Sequence, residues 1–261
     1  MCTPFHVTPM IHYHSILFGV DNREGIMKAM LIAAVFAVSV QAADSASFRY
    51  LGADASGSHA AWMMYGVQDG TGFPWAMVEI LSTNPHRVLE RHSVLITSED
   101  THRNQGPDSA LALAAASLED MGISIEHGGR VLLEHKLTDA GVSPDTVVFA
   151  TETHYTWYPG ITYTMVLEQV PSGLENRDAP WFPEPVLIRL TISDGRSRAL
   201  LFRESSAPDP YLLCFAYRIS RVIKIDERTL LVVFNAMIPG FEGPDLRYRV
   251  LAVEFPIAWR R

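Results

Sequence analysis

Cysteine is almost absent from this chain: two in 261 residues, Cys2 and Cys214. A disulfide framework is therefore excluded as the source of stability, and no C-x-x-C pair exists to hold zinc or run redox chemistry. Positive charge is also scarce. Lysine and arginine number 21 against 29 acidic residues, for a formal charge of -8, and no basic cluster interrupts the acidic balance. Such a surface is unsuited to nucleic acid, so no nucleic-acid partner is expected. Catalytic signatures are missing as well: no G-x-S-x-G elbow, no H-E-x-x-H, no P-loop and no G-x-G-x-x-G.

One apolar run stands out. Met27-Lys28 precedes an uncharged stretch from Ala29 to Val40, followed by Gln41-Ala42-Ala43-Asp44. A basic start, a short apolar core and small residues before an acidic position form a secretory signal peptide over 27–42, with cleavage after Ala42. The run is shorter than the ~20 residues a membrane span needs. Residues 1–26 carry no targeting pattern and read as an upstream-translation artefact or a disordered extension. The expected mature product is a single mainly-β domain over 43–261, periplasmic or secreted, with no transmembrane span. N-terminal sequencing of the exported chain tests this: Ala43 first is the expected result, and a chain retaining Cys2 contradicts it.

Beyond Ala43 the pattern is one of short strands and turns. Extended segments are expected at 47–51, 59–67, 75–81, 87–89 with 94–97, 123–125, 130–134, 146–153, 161–169, 186–192, 199–203, 212–225, 229–238 and 247–255. One helix is expected over 107–121, with Pro107 in its first turn, Asp108 near its positive end and Gly122 as its stop. Its packing stripe is Leu111, Ala114, Ala115, Leu118 and Met121. Asp-bearing turns recur at Asp54, Asp145, Asp194 and Asp226 without a common period. The fold class is mainly antiparallel β, a propeller-like arrangement of hairpins with one inserted α-helix; a two-layer β-sandwich is the alternative.

Two loops carry the polar residues that a ligand site needs. Residues 65–76 place Gln68, Asp69 and Thr71 among Gly70 and Gly72, with an aromatic exit at Trp75. Residues 238–248 place Glu242 and Asp245 in a Pro/Gly-framed loop ahead of Arg247 and Arg249. The candidate ligand-binding residues are Gln68, Asp69, Thr71, Trp75, Glu242 and Asp245, and the two loops are expected to approach one another. No residue is singled out as catalytic or metal-binding, and no cofactor is called. Glu126-His127 and Glu134-His135 read as surface pairs, since neighbours on a strand point to opposite faces. Cys214 reads as a small buried apolar side chain. Tyr155, Trp157, Tyr158, Trp181 and Phe182 offer an aromatic patch whose commoner use is packing.

Together, the signal peptide, Tyr-Gly-Val-Gln-Asp-Gly-Thr-Gly-Phe-Pro at 65–74 and Pro-Gly-Phe-Glu-Gly-Pro-Asp at 239–245 resemble one family. It is the predicted secreted bacterial proteins grouped as domain of unknown function 2259. The resemblance covers nearly all of residues 43–261. It implies bacterial export and a single domain, and it implies no activity. The functional expectation is an exported cell-envelope β-domain that binds an unidentified envelope ligand or protein. The alternatives are a hydrolase of an envelope polymer using Asp69, Glu242 and Asp245, and a calcium-stabilised structural module.

Overall fold

The computed structural model describes residues 44–68, 70–97, 105–125, 127–139, 143–151, 161–174, 181–205, 214–240 and 243–255. They belong to one compact unit, Ala42–Arg261. Twelve strands and one helix alternate along them. The first four strands are β1 (Ser47–Ala53), β2 (His59–Val67), β3 (Pro74–Thr83) and β4 (His86–Leu95), followed by α1 (Gln105–Asp120). Next come β5 (Arg130–Glu134), β6 (Thr146–Ala150), β7 (Thr162–Pro171), β8 (Val186–Ser193) and β9 (Arg198–Arg203). The chain closes with β10 (Ala216–Lys224), β11 (Thr229–Pro239) and β12 (Pro244–Glu254).

These strands form three four-stranded sheets in the orders β1-β2-β3-β4, β12-β11-β10-β5 and β6-β7-β8-β9. Every pairing between them is antiparallel. The β10–β12 sheet borrows its fourth strand, β5, from the middle of the chain.

Side-chain alternation decides how the sheets stack. Strand β11 reads Thr-Leu-Leu-Val-Val-Phe-Asn-Ala-Met-Ile-Pro and is buried from Thr229 to Met237. Leu231 and Val233 point to one side, where they pack with Trp62, Met64 and Leu81 of the first sheet. Leu230, Val232, Phe234 and Ala236 point to the other, against Tyr163, Met165, Leu167, Ile188 and Leu190 of the third. A strand that is apolar on both faces must be covered on both. The β10–β12 sheet is therefore the middle layer, and each large side chain it buries is worth about 1.5–3 kcal/mol.

The first sheet is also used twice. Ala60, Trp62 and Met64 face the middle sheet. Ala61, Met63, Ala76, Val78 and Ile80 face α1 through Ala110, Ala114 and Leu118. Small residues on the helix let it lie close to the strands: Gly106 abuts the Trp75 backbone, where a Cβ would come within 3.2 Å of the carbonyl carbon. The helix ends at Gly122 (φ 66°). There Gly122 N–H donates to Glu119 O (2.9 Å) and Ile123 N–H to Leu118 O (2.9 Å), while Ile123 packs near Leu118.

The mainly antiparallel β class with one helix holds. Each sheet has the four strands of a blade, but the sheets stack in layers, which is compatible with the sandwich alternative. No core cluster joins the first sheet to the third, so the described residues close no ring. Several boundaries differ from the sequence reading. The segments at 87–89 and 94–97 are one continuous strand, because β4 pairs with β3 from His86 to Leu95. The stretch 123–125 is not a strand, since its backbone caps α1 instead. The helical stripe is Ala110-Ala114-Leu118, with Leu111 and Met121 at its margin and Ala115 exposed.

Strand β1 is pinned at a bulge, where the pairing with β2 shifts between Tyr50 and Gly52. Gly52 has φ 147°, and a Cβ there would overlap the backbone carbonyl oxygen of Ser124 and sit 2.9 Å from that of His127. Neither backbone group can rotate aside. Gly52→Ala should therefore destabilise the fold by more than about 2 kcal/mol in urea unfolding. Gly70→Ala, with positive φ but open space around it, should cost only about 1 kcal/mol. Equal losses would contradict the packing described.

Candidate functional site

The loop between β2 and β3 closes on itself. Gln68 N–H donates to Phe73 O (2.8 Å) and Gly72 N–H to Gln68 O (2.9 Å). Thr71 Oγ1–H donates to Gln68 Oε1 at 3.1 Å, and Phe73 N–H reaches Thr71 Oγ1 at 3.3 Å. Gly70 and Gly72, at φ 76° and 71°, supply the left-handed backbone that this closure requires. The Gln68 and Thr71 side chains thus bond to one another at the surface. Asp69 lies outside the described residues.

The second loop is shorter than the sequence reading has it. Strands β11 and β12 pair as far as Pro239 opposite Pro244, which leaves Asp245 and Arg247 inside a strand. Prolines are tolerated here because β12 is an edge strand and the pair closes the hairpin. Glu242 lies outside the described residues. The neighbours of the two loops do meet. The Arg247 guanidinium carbon stands 4.7 Å from the Trp75 ring centroid. Arg247 Nη2 donates to Asp44 Oδ2 at 2.7 Å and to Asp245 Oδ2 at 3.0 Å.

This junction is built for anchoring. The Asp44 side chain is only 3 % exposed, and the segment before β1 runs beside β12. Leu246 N–H donates to Asp44 O and Ala46 N–H to Leu246 O. Gly66 leaves the space there: a Cβ would come within 3.3 Å of Trp75 Nε1 and 3.4 Å of Asp44 Oδ1. Arg249, two residues on, serves a different contact. Its Nη2 lies 2.6 Å from Glu204 Oε1, and its Nη1 donates to the Tyr217 hydroxyl at 3.1 Å. Together, these pairs fasten β12 to the segment before β1 and to β3 on one hand, and to Glu204 just past β9 and to β10 on the other.

Other acids and the cysteine are likewise committed. Glu79 is buried between the first and middle sheets, where it accepts from the Trp62 indole (3.0 Å) and from Arg91 Nε (2.7 Å). Burial nonetheless raises its pKa, outweighing Arg91 and Trp62. Glu134 is held by Arg221 at 2.7 Å. Glu126 falls outside the described residues. Cys214 is fully buried, donates to Ala216 O, and burial pushes its thiol up to about 12, far from a reactive thiolate. Of the aromatic patch, Trp181 is exposed and lies on Phe182, while Tyr155, Trp157 and Tyr158 are outside the described residues. No three of His, Cys, Asp and Glu gather into a metal-holding group among the described residues.

A cavity lies elsewhere, at the shared end of three hairpins and the third sheet, with a volume of about 360 Å³. The β1–β2 turn contributes Gly57 and Ser58, the β3–β4 turn Asn84 and His86, and the β10–β11 turn Asp226 and Arg228. Leu201 and Phe202 of β9 and Glu254 at the end of β12 complete the wall.

Two of the Asp-bearing turns build this floor. Asp226 Oδ1 accepts from Arg228 N–H and Thr229 N–H, and Oδ2 accepts from Thr229 Oγ1. Asp54 does the same for the first turn, accepting from His59 N–H (3.0 Å) and Ser56 Oγ (2.6 Å). Gly57 (φ 71°) lets the two turns touch, since any Cβ there would overlap Asp226 Oδ2. Thr83 Oγ1 donates to Gly57 O at 2.6 Å and ties in the third hairpin.

His86 has a fixed proton. Its Nδ1 accepts from Ala252 N–H at 3.2 Å, so the neutral ring carries its hydrogen on Nε2. Burial, reinforced by the Arg249 charge, lowers its pKa to about 4. Sequence reasoning missed His86, which belongs to no catalytic or metal-binding motif. The available signal was different: a histidine directly after an Asn-Pro turn, opposite other Asp-built turns.

Fold and site define a layered antiparallel β-domain with a polar cavity where its hairpins converge. The chain belongs to the family of predicted secreted proteins grouped as domain of unknown function 2259, whose model matches residues 61–254. No curated protein and no solved structure matches it. No helix among the described residues is long and apolar enough to cross a membrane.

Two outcomes check this geometry. Asp44→Asn and Arg247→Met should each cost about 3 kcal/mol, with a coupling of at least ~1 kcal/mol in the double variant; additive losses would contradict the pair. For His86, the folded-state value of about 4 lies below the ordinary 6.5. Its contribution to stability is then complete above 6.5 and is lost as pH falls towards 4. His86→Gln, whose carbonyl can still accept the Ala252 amide, should flatten the fall in melting temperature over that window. An unchanged pH profile would contradict a buried neutral ring.

Proposed function

We propose that residues 43–261 form a single exported domain that binds a small polar molecule, without altering it, in the cavity between the hairpin turns. In this reading the leader at 27–42 delivers it to the periplasm or beyond. The observation that carries the proposal is the cavity itself. Its volume of about 360 Å³ falls in the range of small-molecule sites, and turns from separate hairpins build it around the fixed Asp226 carboxylate. Asp226 is saturated by backbone and threonine donors, which suits a wall that orients a ligand rather than a base that takes a proton. The hydrolase alternative loses one of its three acids, because Asp245 is bound to Arg247. The loop candidates Gln68, Asp69, Thr71, Trp75, Glu242 and Asp245 become, in this proposal, a second and structural region.

Native mass spectrometry of the exported chain, isolated from its own envelope fraction, is the test. The expected result is a retained small molecule that is released with unchanged mass and is lost from the Asn84→Ala/His86→Gln variant. Saturation should also raise the melting temperature, as about 2.7 kcal/mol of added stability at a hundredfold excess over Kd would do. A chain that retains nothing, or that turns over what it holds, contradicts the proposal.

A further inference from the structure

We infer that the cavity takes a neutral, hydroxyl-rich ligand, a saccharide; the inference rests on the binding reading above and names its ligand class. Charge comes first. Asp226 and Glu254 bring two carboxylates to the wall, Arg228 brings one guanidinium, and His86 stays neutral at ordinary pH. The Asp226 carboxylate is bonded within its own turn, which leaves Glu254 and Arg228 as the unengaged charges, one of each sign. So balanced a wall favours neither an anion nor a compact cation over a neutral guest.

Hydrogen-bonding capacity points the same way. Many wall groups are already spent: Thr83 on Gly57, Asp226 on its own turn, and Ser56 on Asp54 and Ser58. Among the described residues, the Asn84 carboxamide, His86 Nε2–H, Arg228 and the Glu254 carboxylate have no such engagement. This set holds both donors and acceptors, spread over three elements. A sugar hydroxyl donates and accepts at once, so successive hydroxyls on a ring can satisfy a mixed wall of this kind. A ligand with only donors or only acceptors would match only part of it.

The remaining wall is apolar. Leu201 and Phe202 also line the cavity, both packed against the core behind it, and the Arg249 guanidinium lies 5.9 Å from the Phe202 ring centroid. A pyranose ring has an apolar C–H face that packs on such a surface while its edge hydroxyls reach the polar turns. The cavity volume of about 360 Å³ suits one or two sugar units.

The test is a thermal-shift and calorimetric panel on the exported chain. It would compare neutral mono- and disaccharides, their phosphorylated and amino derivatives, free amino acids and a polyamine, alongside the envelope extract. Neutral saccharides should bind, phosphorylated forms of the same sugars at least tenfold more weakly. Asn84→Ala, Glu254→Gln and Phe202→Leu should each weaken binding about tenfold while leaving the ligand-free melt cooperative. Asn84 and Glu254 are exposed, so their variants keep the test open if Phe202→Leu fails to fold. Preference for a charged compound, with saccharides inert, overturns the saccharide assignment and leaves the binding reading standing. Failure of every compound and of the extract overturns both.

Discussion

The burial of the middle sheet on both faces is the constraint from which the rest follows. Strand β11 is apolar at nearly every position, so its two sets of side chains demand two partner layers. The first sheet meets one set and the third sheet the other. The first sheet then has its own second face to cover, and α1 covers it with alanines rather than long side chains. Hydrophobic burial thus dictates the number of layers and their order.

Layering in turn gathers the hairpin turns. The turns β1–β2, β3–β4 and β10–β11 line one shared cavity, and the Thr83 hydroxyl ties the first two together through Gly57 O. Where β12 passes between layers, arginines hold it, Arg247 to Asp44 and Asp245, Arg249 to Glu204 and Tyr217. Buried guanidinium–carboxylate contacts add little net stability compared with apolar packing, but they specify register. A slip of β12 by one residue would strand both charges.

Much of this was legible in the sequence, for identifiable reasons. Strands β2 and β5 fall where alternation puts them, from His59 to Val67 and from Arg130 to Glu134. The Pro107, Asp108 and Gly122 signals bracket α1 closely, and Cys214 is buried as its apolar setting implies. Asp54, Asp194 and Asp226 each fold a hairpin turn through the same side-chain-to-backbone bonds. What alternation cannot convey is which sheet faces which. The stacking order depends on pairings far apart in the chain, such as β5 with β10. Hence the arrangement of hairpins was set out as propeller-like, with layering as the alternative. Loop composition drew attention to Gln68, Thr71 and Asp245; Gln68 and Thr71 bond to one another, and Asp245 pairs with Arg247. The cavity is made by Gly57, Asn84, His86 and Asp226, residues ordinary in their local sequence and joined only by tertiary packing.

Hydrogen exchange across the exported chain, with and without a saturating neutral disaccharide, tests the central claim most directly. Because all three turns line the cavity, its occupancy should slow exchange at residues 54–59, 83–87 and 226–229 together. The loop at 70–73 should exchange at the same rate in both states. Protection confined to that loop and the β11–β12 hairpin, with the three turns unaffected, would contradict a binding site at the hairpin convergence.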